Sequence, residues 1–336
     1  MKTLVTGSTG LVGSALVERL LAEGYEVRAL ARTTSDVSHL NTTGADIVFG
    51  DVTEYETLPS VVQGVEIVFH AAAKVTPGWG TWQDFEKTTV RGTENMLKAS
   101  AEAGARRFLY VSSFTVYGHA CQKGDLPADE STPCEARKTP ATYYDYAKLL
   151  AEQACWKYHR QGKIQVSVIR IGTAYGPRDR LLADRIYKQT FFPIMMWPGR
   201  ANPRYAIVHV SDIAELAIAA ATNDKAIGQA YNVAGPEPVR LREFTEAMLN
   251  ARGVKRVWVT LPYAVAWIWC YAMEMFAKLR RSQKMPYLTR AALRSLNTEG
   301  YLDGTKASNE LGWKPTISIE EGAKRYVQWR QAQQEK

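Results

Sequence analysis

The sequence predicts an α/β protein in which a doubly wound parallel sheet carries a smaller, mostly C-terminal lobe. Short apolar runs typical of strands alternate with helical patterns through the first half of the 336 residues. Such alternation is typical of parallel strands whose connecting helices cover both faces of the sheet. From about residue 172 the pattern loosens and prolines punctuate short elements, which indicates a second lobe.

The expected elements follow one another in a regular order. The expected strands span residues 3–6, 26–31, 46–49, 66–69, 106–113 and 165–170. The expected helices span residues 11–22 and 85–103, and a third carries Tyr144. We assign residues 1–171, with 205–235 returning to them, to the sheet domain, and residues 172–204 and 236–330 to a lobe that binds substrate.

Composition excludes several classes of function. The net charge is +8, but the basic residues are scattered and no nucleic-acid-binding motif accompanies them, so we expect no nucleic acid partner. A basic surface that attracts anionic cofactors, substrates or lipid headgroups is the better interpretation. The four cysteines form no C-x-x-C pair and the five histidines show no ligand spacing, so we expect no metal and a reducing compartment. The opening residues lack a signal sequence, which predicts a cytoplasmic protein.

One aromatic segment raises the question of membrane contact. Residues 261–279, "LPYAVAWIWCYAMEMFAKL", are interrupted by Glu274 and are too short to span a bilayer. Lys278, Arg280, Arg281 and Lys284 lie at the end of this segment or just beyond it. The pattern suits peripheral contact with a membrane surface, and equally an ordinary solvated helix end.

The stretch "LVTGSTGLVGS" predicts a dinucleotide site. Gly7, Gly10 and Gly13 lie between the first strand and the first helix. Glycines let the backbone approach a pyrophosphate, and a helix N-terminus offers free N–H groups to it. The second strand ends in Ala31 and Arg32, where an NAD site usually carries an acid. Since a guanidinium suits a 2′-phosphate, the sequence favours NADP over NAD. The sheet domain is therefore expected to be of the Rossmann type.

The stretch "TYYDYAKLLAE" contains a candidate catalytic pair. Residues four apart share a helix face, so Lys148 lies beside Tyr144. Among the 17 tyrosines, only Tyr144 is followed by a lysine at this spacing. A neighbouring ammonium and a cationic nicotinamide favour the phenolate, so Tyr144 could exchange a proton near neutral pH.

The order of the motifs resembles that of the extended short-chain dehydrogenase/reductase superfamily. The motifs are T-G-x-x-G-x-x-G, "GDV" at 50–52, "HAAA" at 70–73, "VSSFTVYG" at 111–118, and Tyr144 with Lys148. The resemblance covers essentially the whole chain. Two departures are Ala147, where the motif usually has serine, and Thr89, where asparagine is common.

The resemblance implies a role for each matching residue. Ser113, Tyr144 and Lys148 would form the catalytic set, with Lys148 also gripping the nicotinamide ribose. The cofactor would contact Gly7, Thr9, Gly10, Leu11, Gly13, Arg32, Asp51, Val52, Ala71, Ala72, Ala73, Ile171 and Thr173. The substrate would contact Lys74, Thr115 and Arg178, although Arg178 could equally be a salt-bridged surface residue. A homodimer packed through residues 85–103 and 144–160 is also implied.

The substrate lobe distinguishes branches of the superfamily. "IGTAYGPRDR" after the strand ending at Arg170 lacks the asparagine that sugar-nucleotide enzymes commonly place there. Residues 285–322, "MPYLTRAALRSLNTEGYLDGTKASNELGWKPTISIEEG", are similar to the corresponding region of hydroxysteroid and sterol dehydrogenases and of reductases of long-chain 2-alkyl-3-keto acids. As a group, certain aromatic and methionine residues favour an apolar pocket, though each alone is more typical of a core. They are Met195, Met196, Trp197, Trp267, Trp269, Met273 and Met275.

These observations predict an NADP-dependent oxidoreductase acting on a secondary alcohol or ketone of a largely apolar small molecule. The first alternative is a sugar-nucleotide epimerase or dehydratase that regenerates its cofactor in each cycle. The second alternative is an NADP-sensing protein without turnover, which would have no need of all three residues Ser113, Tyr144 and Lys148.

Overall fold

The computed structural model describes residues 1–76, 78–122, 127–199, 201–280, 282 and 285–334. The strands are β1 (Lys2–Thr6), β2 (Glu26–Ala31), β3 (Asp46–Phe49), β4 (Ile67–His70), β5 (Arg107–Ser113), β6 (Gln165–Ile171), β7 (Thr173–Tyr175), β8 (Ile194–Pro198), β9 (Arg204–Tyr205), β10 (Ile207–His209), β11 (Ala230–Val233), β12 (Val239–Arg240) and β13 (Val257–Leu261). The helices are α1 (Leu11–Ala22), α2 (Leu58–Val62), α3 (Trp82–Phe85), α4 (Gly92–Glu102), α5 (Tyr143–Arg160), α6 (Leu182–Gln189), α7 (Val210–Thr222), α8 (Leu241–Ala251), α9 (Tyr263–Leu279), α10 (Arg290–Ser295), α11 (Thr305–Leu311) and α12 (Ile319–Ala332).

Seven parallel strands form the central sheet in the order β11-β6-β5-β4-β1-β2-β3. Successive side chains of each inner strand pack into two cores, one on each face of the sheet. Val5 and Phe69 pack with α1 and α7 on one face, whereas Leu4 and Val68 pack with α2, α4 and α5 on the other. The strands are apolar on both faces because helices cover both. The predicted doubly wound, Rossmann-type sheet is therefore confirmed.

The strand order reverses between β1 and β4, and ligands of such sheets bind at the carboxyl ends of the strands beside that point. Strand β11 lies beside β6, so residues 230–233 rejoin the main sheet after the chain has left it. The exact domain boundaries stay a prediction. A further core, built around Tyr175, Trp197, Phe244 and Tyr326, holds α8 and α12 together in the smaller lobe.

The single helix expected over residues 85–103 is wrong in detail. Helix α3 begins earlier, at a capping box between Thr81 and Asp84, and a π-helical segment (Glu86–Arg91) separates it from α4. Within that segment, the Thr89 hydroxyl accepts a hydrogen bond from the Lys74 backbone N–H at 3.1 Å. A wider turn that brings Thr89 to the chain after β4 leaves no trace in apolar periodicity, which is why the pattern did not predict it.

Candidate active site

A cleft of about 1250 Å³ opens at the carboxyl ends of β1, β4, β5 and β6. The cofactor-binding and catalytic residues expected from the sequence line this cleft, as do Lys74, Thr115 and Arg178. Pockets for one small ligand usually measure about 300–1,000 Å³. The cleft is therefore large enough for a dinucleotide and a second molecule.

The glycine turn brings the backbone close to the start of the cleft. Gly7 adopts a positive φ of 66°, and a Cβ there would lie 2.8 Å from the Ala72 backbone nitrogen. A Cβ on Gly13 would collide with the Gly7 carbonyl. No side chain caps α1 at Gly10, so the N–H groups of its first turn lack partners within the helix. This turn fits the pyrophosphate of a dinucleotide.

The part of the cleft beside the ends of β2 and β3 carries the positive charge of Arg32. Arg32 follows β2 directly and is exposed to the cleft, and none of the described acidic side chains forms an ion pair with it. Asp51 lies after β3, where its carboxylate accepts a hydrogen bond from the Thr53 N–H at 2.8 Å. An acid that would accept from both ribose hydroxyls is absent from the end of β2, because Ala31 and Arg32 stand there.

Buried hydrogen bonds hold the end of β4 beside β1. His70 is enclosed between the hydroxyls of Thr6, at 2.8 Å, and Thr93, at 3.0 Å. Burial lowers the pKa of His70 to about 3, so its ring is neutral. The Ala72 N–H donates to the Thr6 hydroxyl at 3.2 Å. The backbone at Ala71 and Ala72 is therefore held beside the end of β1, where it lines the cleft.

The candidate catalytic set comes from β5 and α5. Ser113 ends β5, and Tyr144 and Lys148 lie one turn apart near the start of α5. The buried Lys148 ammonium donates to the Val111 carbonyl at 2.6 Å, and burial lowers its pKa to about 8. Burial raises the pKa of the Tyr144 phenol to about 12, and a hydrogen bond with Ser113 opposes this rise. The Ser113 oxygen also accepts a hydrogen bond from the Thr115 hydroxyl at 3.1 Å.

The influence of Lys148 on Tyr144 differs from the sequence-based expectation. That expectation gave Lys148 a direct influence on the phenol of Tyr144, whereas burial is the dominant influence here and Ser113 is the second. The Lys148 ammonium instead lies against the Val111 carbonyl and 4.8 Å from the centre of the Tyr110 ring. An additional positive charge in the cleft, such as an oxidised nicotinamide, would favour the phenolate.

Sequence reasoning missed a buried ion pair behind the catalytic set. The Glu152 carboxylate accepts from the Ser112 hydroxyl at 2.6 Å and from the Arg170 guanidinium at 2.6 Å. Arg170 also donates to the Tyr117 hydroxyl at 3.0 Å, which in turn donates to Asn232 on β11 at 2.7 Å. Glu152 lies four residues after Lys148, so the same spacing rule that found Tyr144 could have found it.

Asp145 was also missed, although it directly follows Tyr144. Its carboxyl lies beside the Thr115 hydroxyl and lines the cleft. Burial raises the pKa of Asp145 to about 7, with the Thr115 hydrogen bond opposing the rise. Lys148 and Asp145 are therefore two groups of the cleft whose pKa values lie near neutral pH. The hydrophobic periodicity of the sequence does not identify Asp145, because its raised pKa results from burial in the cleft of the folded protein.

The residues expected to contact substrate have different surroundings. Thr115 lies beside Ser113, and the Lys74 ammonium is 3.6 Å from the Asp84 carboxylate. The Arg178 guanidinium is held by Ser14 and Glu18 of α1, each at 2.8 Å. These contacts correspond to the salt-bridge alternative and leave Arg178 on the cofactor side of the cleft.

The prediction that seven aromatic and methionine residues together line an apolar pocket is wrong. None of the seven residues lines the cleft. Met195 and Trp197 point into the core of the lobe, while Met196, Trp267, Trp269 and Met275 are exposed. Strand alternation separates Met195 from Met196, and α9 lies outside the wall of the cleft, so composition alone could not locate these side chains.

The model of the NAD dependent epimerase/dehydratase family matches residues 3–234. The 2-alkyl-3-oxoalkanoate reductase of Shewanella oneidensis is 26% identical, over 96% of this chain and 84% of that protein. The 3beta-hydroxysteroid-dehydrogenase/decarboxylase isoform 1 of Arabidopsis thaliana is 30% identical, over 79% of this chain and 62% of that protein. The resemblance seen in the sequence is confirmed.

A solved structure is similar over the whole chain. It is DesIV, a dTDP-glucose 4,6-dehydratase from Streptomyces venezuelae with NAD and TYD bound. The TM-score is 0.80, with 24% identity over 100% of this chain and 98% of that one. At this identity the likeness establishes the fold alone.

Glu152→Ala is expected to lower the free energy of unfolding by about 3–5 kcal/mol, because it leaves the buried Arg170 without its partner. Denaturant unfolding measures the change. Glu237→Ala is a matched control, since Glu237 is exposed and forms no ion pair among the described residues. A loss as small as that of the control would contradict the role given to the buried pair.

Proposed function

Because the chain belongs to the NAD dependent epimerase/dehydratase family, we propose that it is an NADP(H)-dependent reductase or dehydrogenase acting on a ketone or secondary alcohol of a largely apolar molecule. The chain is an NAD(P)-dependent enzyme of the extended short-chain dehydrogenase/reductase type. The observation that carries the proposal is the meeting of Ser113, Tyr144 and Lys148 in one cleft with the glycine turn.

Each of the three residues has a task in the proposed reaction. NADPH, when bound, supplies the hydride. Ser113 donates a hydrogen bond to the carbonyl oxygen and holds the reacting carbon in place. Tyr144 gives its proton to the same oxygen as the alcohol forms. Lys148, whose pKa is lowered to about 8, can carry a positive charge beside the cofactor ribose or release a proton.

The charges of the cleft favour an anionic substrate. Lys87, Arg137 and Arg294 line the cleft, are exposed, and form no ion pair with the described acidic residues. A long-chain 3-keto acid presents both a carboxylate and an apolar chain, whereas a 3-keto steroid presents no charge. The 2-alkyl-3-oxoalkanoate reductase among the relatives supports the first class. We therefore propose a long-chain 3-keto acid as the substrate class, with a 3-keto steroid as the alternative.

We also propose the homodimer expected from the sequence. Helices α4 and α5 pack side by side on the same face of the sheet, so both could contribute to one interface. Light scattering of the purified protein reports the mass directly.

Tyr144→Phe is expected to lower kcat for ketone reduction about 10²–10⁴-fold, because it removes the proton donor, while NADPH affinity stays unchanged. Tyr143→Phe is the matched control, since Tyr143 packs against Trp82 outside the cleft. NADPH consumption is measured with 3-keto acids, 3-ketosteroids and nucleotide sugars. Undiminished reduction by Tyr144→Phe would contradict the proposed role. Conversion of a nucleotide sugar without NADPH consumption would favour the epimerase alternative, and no turnover at all would favour the sensor.

Arg32→Asp is expected to raise KM for NADPH about 10–100-fold and to leave KM for NADH less affected, because a charge-assisted contact with the 2′-phosphate is lost. Arg106→Asp makes the same charge change at an exposed residue that precedes β5, at the amino end of the strand and away from the cleft. Steady-state kinetics with both cofactors decide the matter. Equal effects of Arg32→Asp on the two cofactors would show that Arg32 does not read the 2′-phosphate.

A further inference from the structure

Helix α9 presents an unusually apolar surface outside the cleft. Only Ala266, Cys270 and Glu274 on this helix are buried, and their spacing of four residues marks one narrow stripe. Met273 and Ala277 are half-buried, and the other side chains of the helix are exposed, including Trp267, Ile268, Trp269, Met275, Phe276 and Leu279. The exposed fraction reaches 63% for Ile268 and 83% for Leu279. A helix that is apolar nearly all round is normally covered, so this surface points to a partner.

The strand pair β8 and β13, which precedes α9, also exposes apolar side chains. Strands β8 and β13 are parallel, with Ile194 opposite Val257 and Met196 opposite Val259. All four side chains are exposed, while Met195 on the other face of the pair is buried in the lobe. Pro262 alone separates β13 from α9. We call the exposed apolar side chains of α9, β8 and β13 the apolar face.

The exposed charged side chains on these elements are basic. Glu274 is the only acidic residue of the three elements, and it is buried in an ion pair with Arg290, whose guanidinium lies 2.8 Å away. Lys278 and Arg280 lie at the C-terminal end of α9, and the chain carries a net charge of +8. Arg281 and Lys284, which the sequence analysis grouped with these two basic residues, lie outside the described residues. An anionic surface complements this arrangement, whereas a second copy of the chain would bring the same positive charges together.

The length and residue types of α9 suit the plane of a bilayer surface. Its 17 residues measure about 26 Å. Among the described residues, no helix has the length and apolar character needed to cross a membrane. Tryptophan and tyrosine prefer the boundary between headgroups and acyl chains, and basic residues beside them bind anionic lipid.

Helix α10 connects the apolar face with the cleft. Ala291 and Ala292 of α10 line the cleft, while Leu293 of the same helix packs in a buried cluster with Ala266 and Cys270 of α9. One short helix therefore lies between the apolar face and the cleft. A membrane at the apolar face would lie close to the cleft wall, where an apolar molecule dissolved in lipid could reach it.

We propose that the apolar face binds the surface of an anionic lipid bilayer, with α9 lying in the headgroup boundary and the basic end of α9 contacting lipid phosphates. This peripheral binding is independent of the reductase proposal, since it depends on neither cofactor nor substrate.

Flotation of the full chain with phospholipid vesicles tests the proposal. Vesicles of phosphatidylcholine with phosphatidylglycerol as the minor lipid are compared with vesicles of phosphatidylcholine alone. The wild type is expected to float with the anionic vesicles and more weakly with the neutral ones. The double variant Ile268→Glu/Trp269→Glu is expected to bind about 100-fold more weakly, because each of the two apolar side chains contributes about tenfold or more when buried.

One control and two further variants make the test specific. Phe49→Glu changes an equally exposed aromatic residue on edge strand β3 and should leave flotation unchanged. Lys278→Gln/Arg280→Gln should weaken binding to anionic vesicles only. Leu279→Glu repeats the test at the most exposed position of α9, where unfolding is least expected.

Undiminished flotation of Ile268→Glu/Trp269→Glu with anionic vesicles would show that the apolar face does not bind the bilayer. Failure of the wild type to float with anionic vesicles would exclude the bilayer as the partner. If, in addition, light scattering showed that Ile268→Glu/Trp269→Glu halves the particle mass, the apolar face would be an interface between copies of the chain. Reduction of a short, water-soluble ketone, followed in parallel, reports the reductase proposal separately.

Discussion

The attachment of helix α5 to strand β5 positions the candidate active site. Three consecutive strand residues each bind one of three helix residues spaced four apart. Val111 accepts a hydrogen bond from Lys148, Ser112 donates to Glu152, and Ser113 lies within hydrogen-bond reach of Tyr144. Since the partners lie along one face of α5, the helix cannot slide along the strand without breaking all three contacts. The position of the Tyr144 phenol is therefore fixed by the same contacts that stabilise the domain.

The buried polar contacts extend this constraint across the sheet. Glu152 binds Arg170 of β6, and Arg170 reaches Asn232 of β11 through the Tyr117 hydroxyl. The Asn232 amide donates to the carbonyls of Ala128 and Asp303, which lie in segments beyond the sheet. Since a buried polar group without a partner is costly, each member holds its neighbours in place. The segments that contain Ala128 and Asp303 are thereby tied to β11, and through Arg170 and Glu152 to β6 and β5.

Much of this arrangement was predictable from local patterns. Apolar runs located the six strands of the first half within one or two residues, and the glycine spacing located the turn at Gly7. The offset of four residues identified Tyr144 and Lys148 because a helix repeats at nearly that interval. These predictions succeeded where a short-range rule decides the structure.

Other features depend on contacts between distant segments and escaped prediction. The π-helical segment forms where Thr89 meets the backbone of Lys74, and Arg178 is held by α1 across 164 and 160 residues of sequence. The aromatic residues of α9 looked like a pocket because composition cannot tell a buried face from an exposed one. The raised pKa of Asp145 likewise reflects the depth of a cleft that only the assembled fold creates.

In the proposed reaction, a hydride passes in the cleft from an external nicotinamide to a carbonyl carbon. The most direct test uses NADPH labelled with deuterium at the transferred position of the nicotinamide and a long-chain 3-keto acid, with the product analysed by mass spectrometry. We expect one deuterium at the new alcohol carbon for each NADPH consumed. An unlabelled product, or conversion of a nucleotide sugar with no loss of added NADPH, would contradict the proposed reaction.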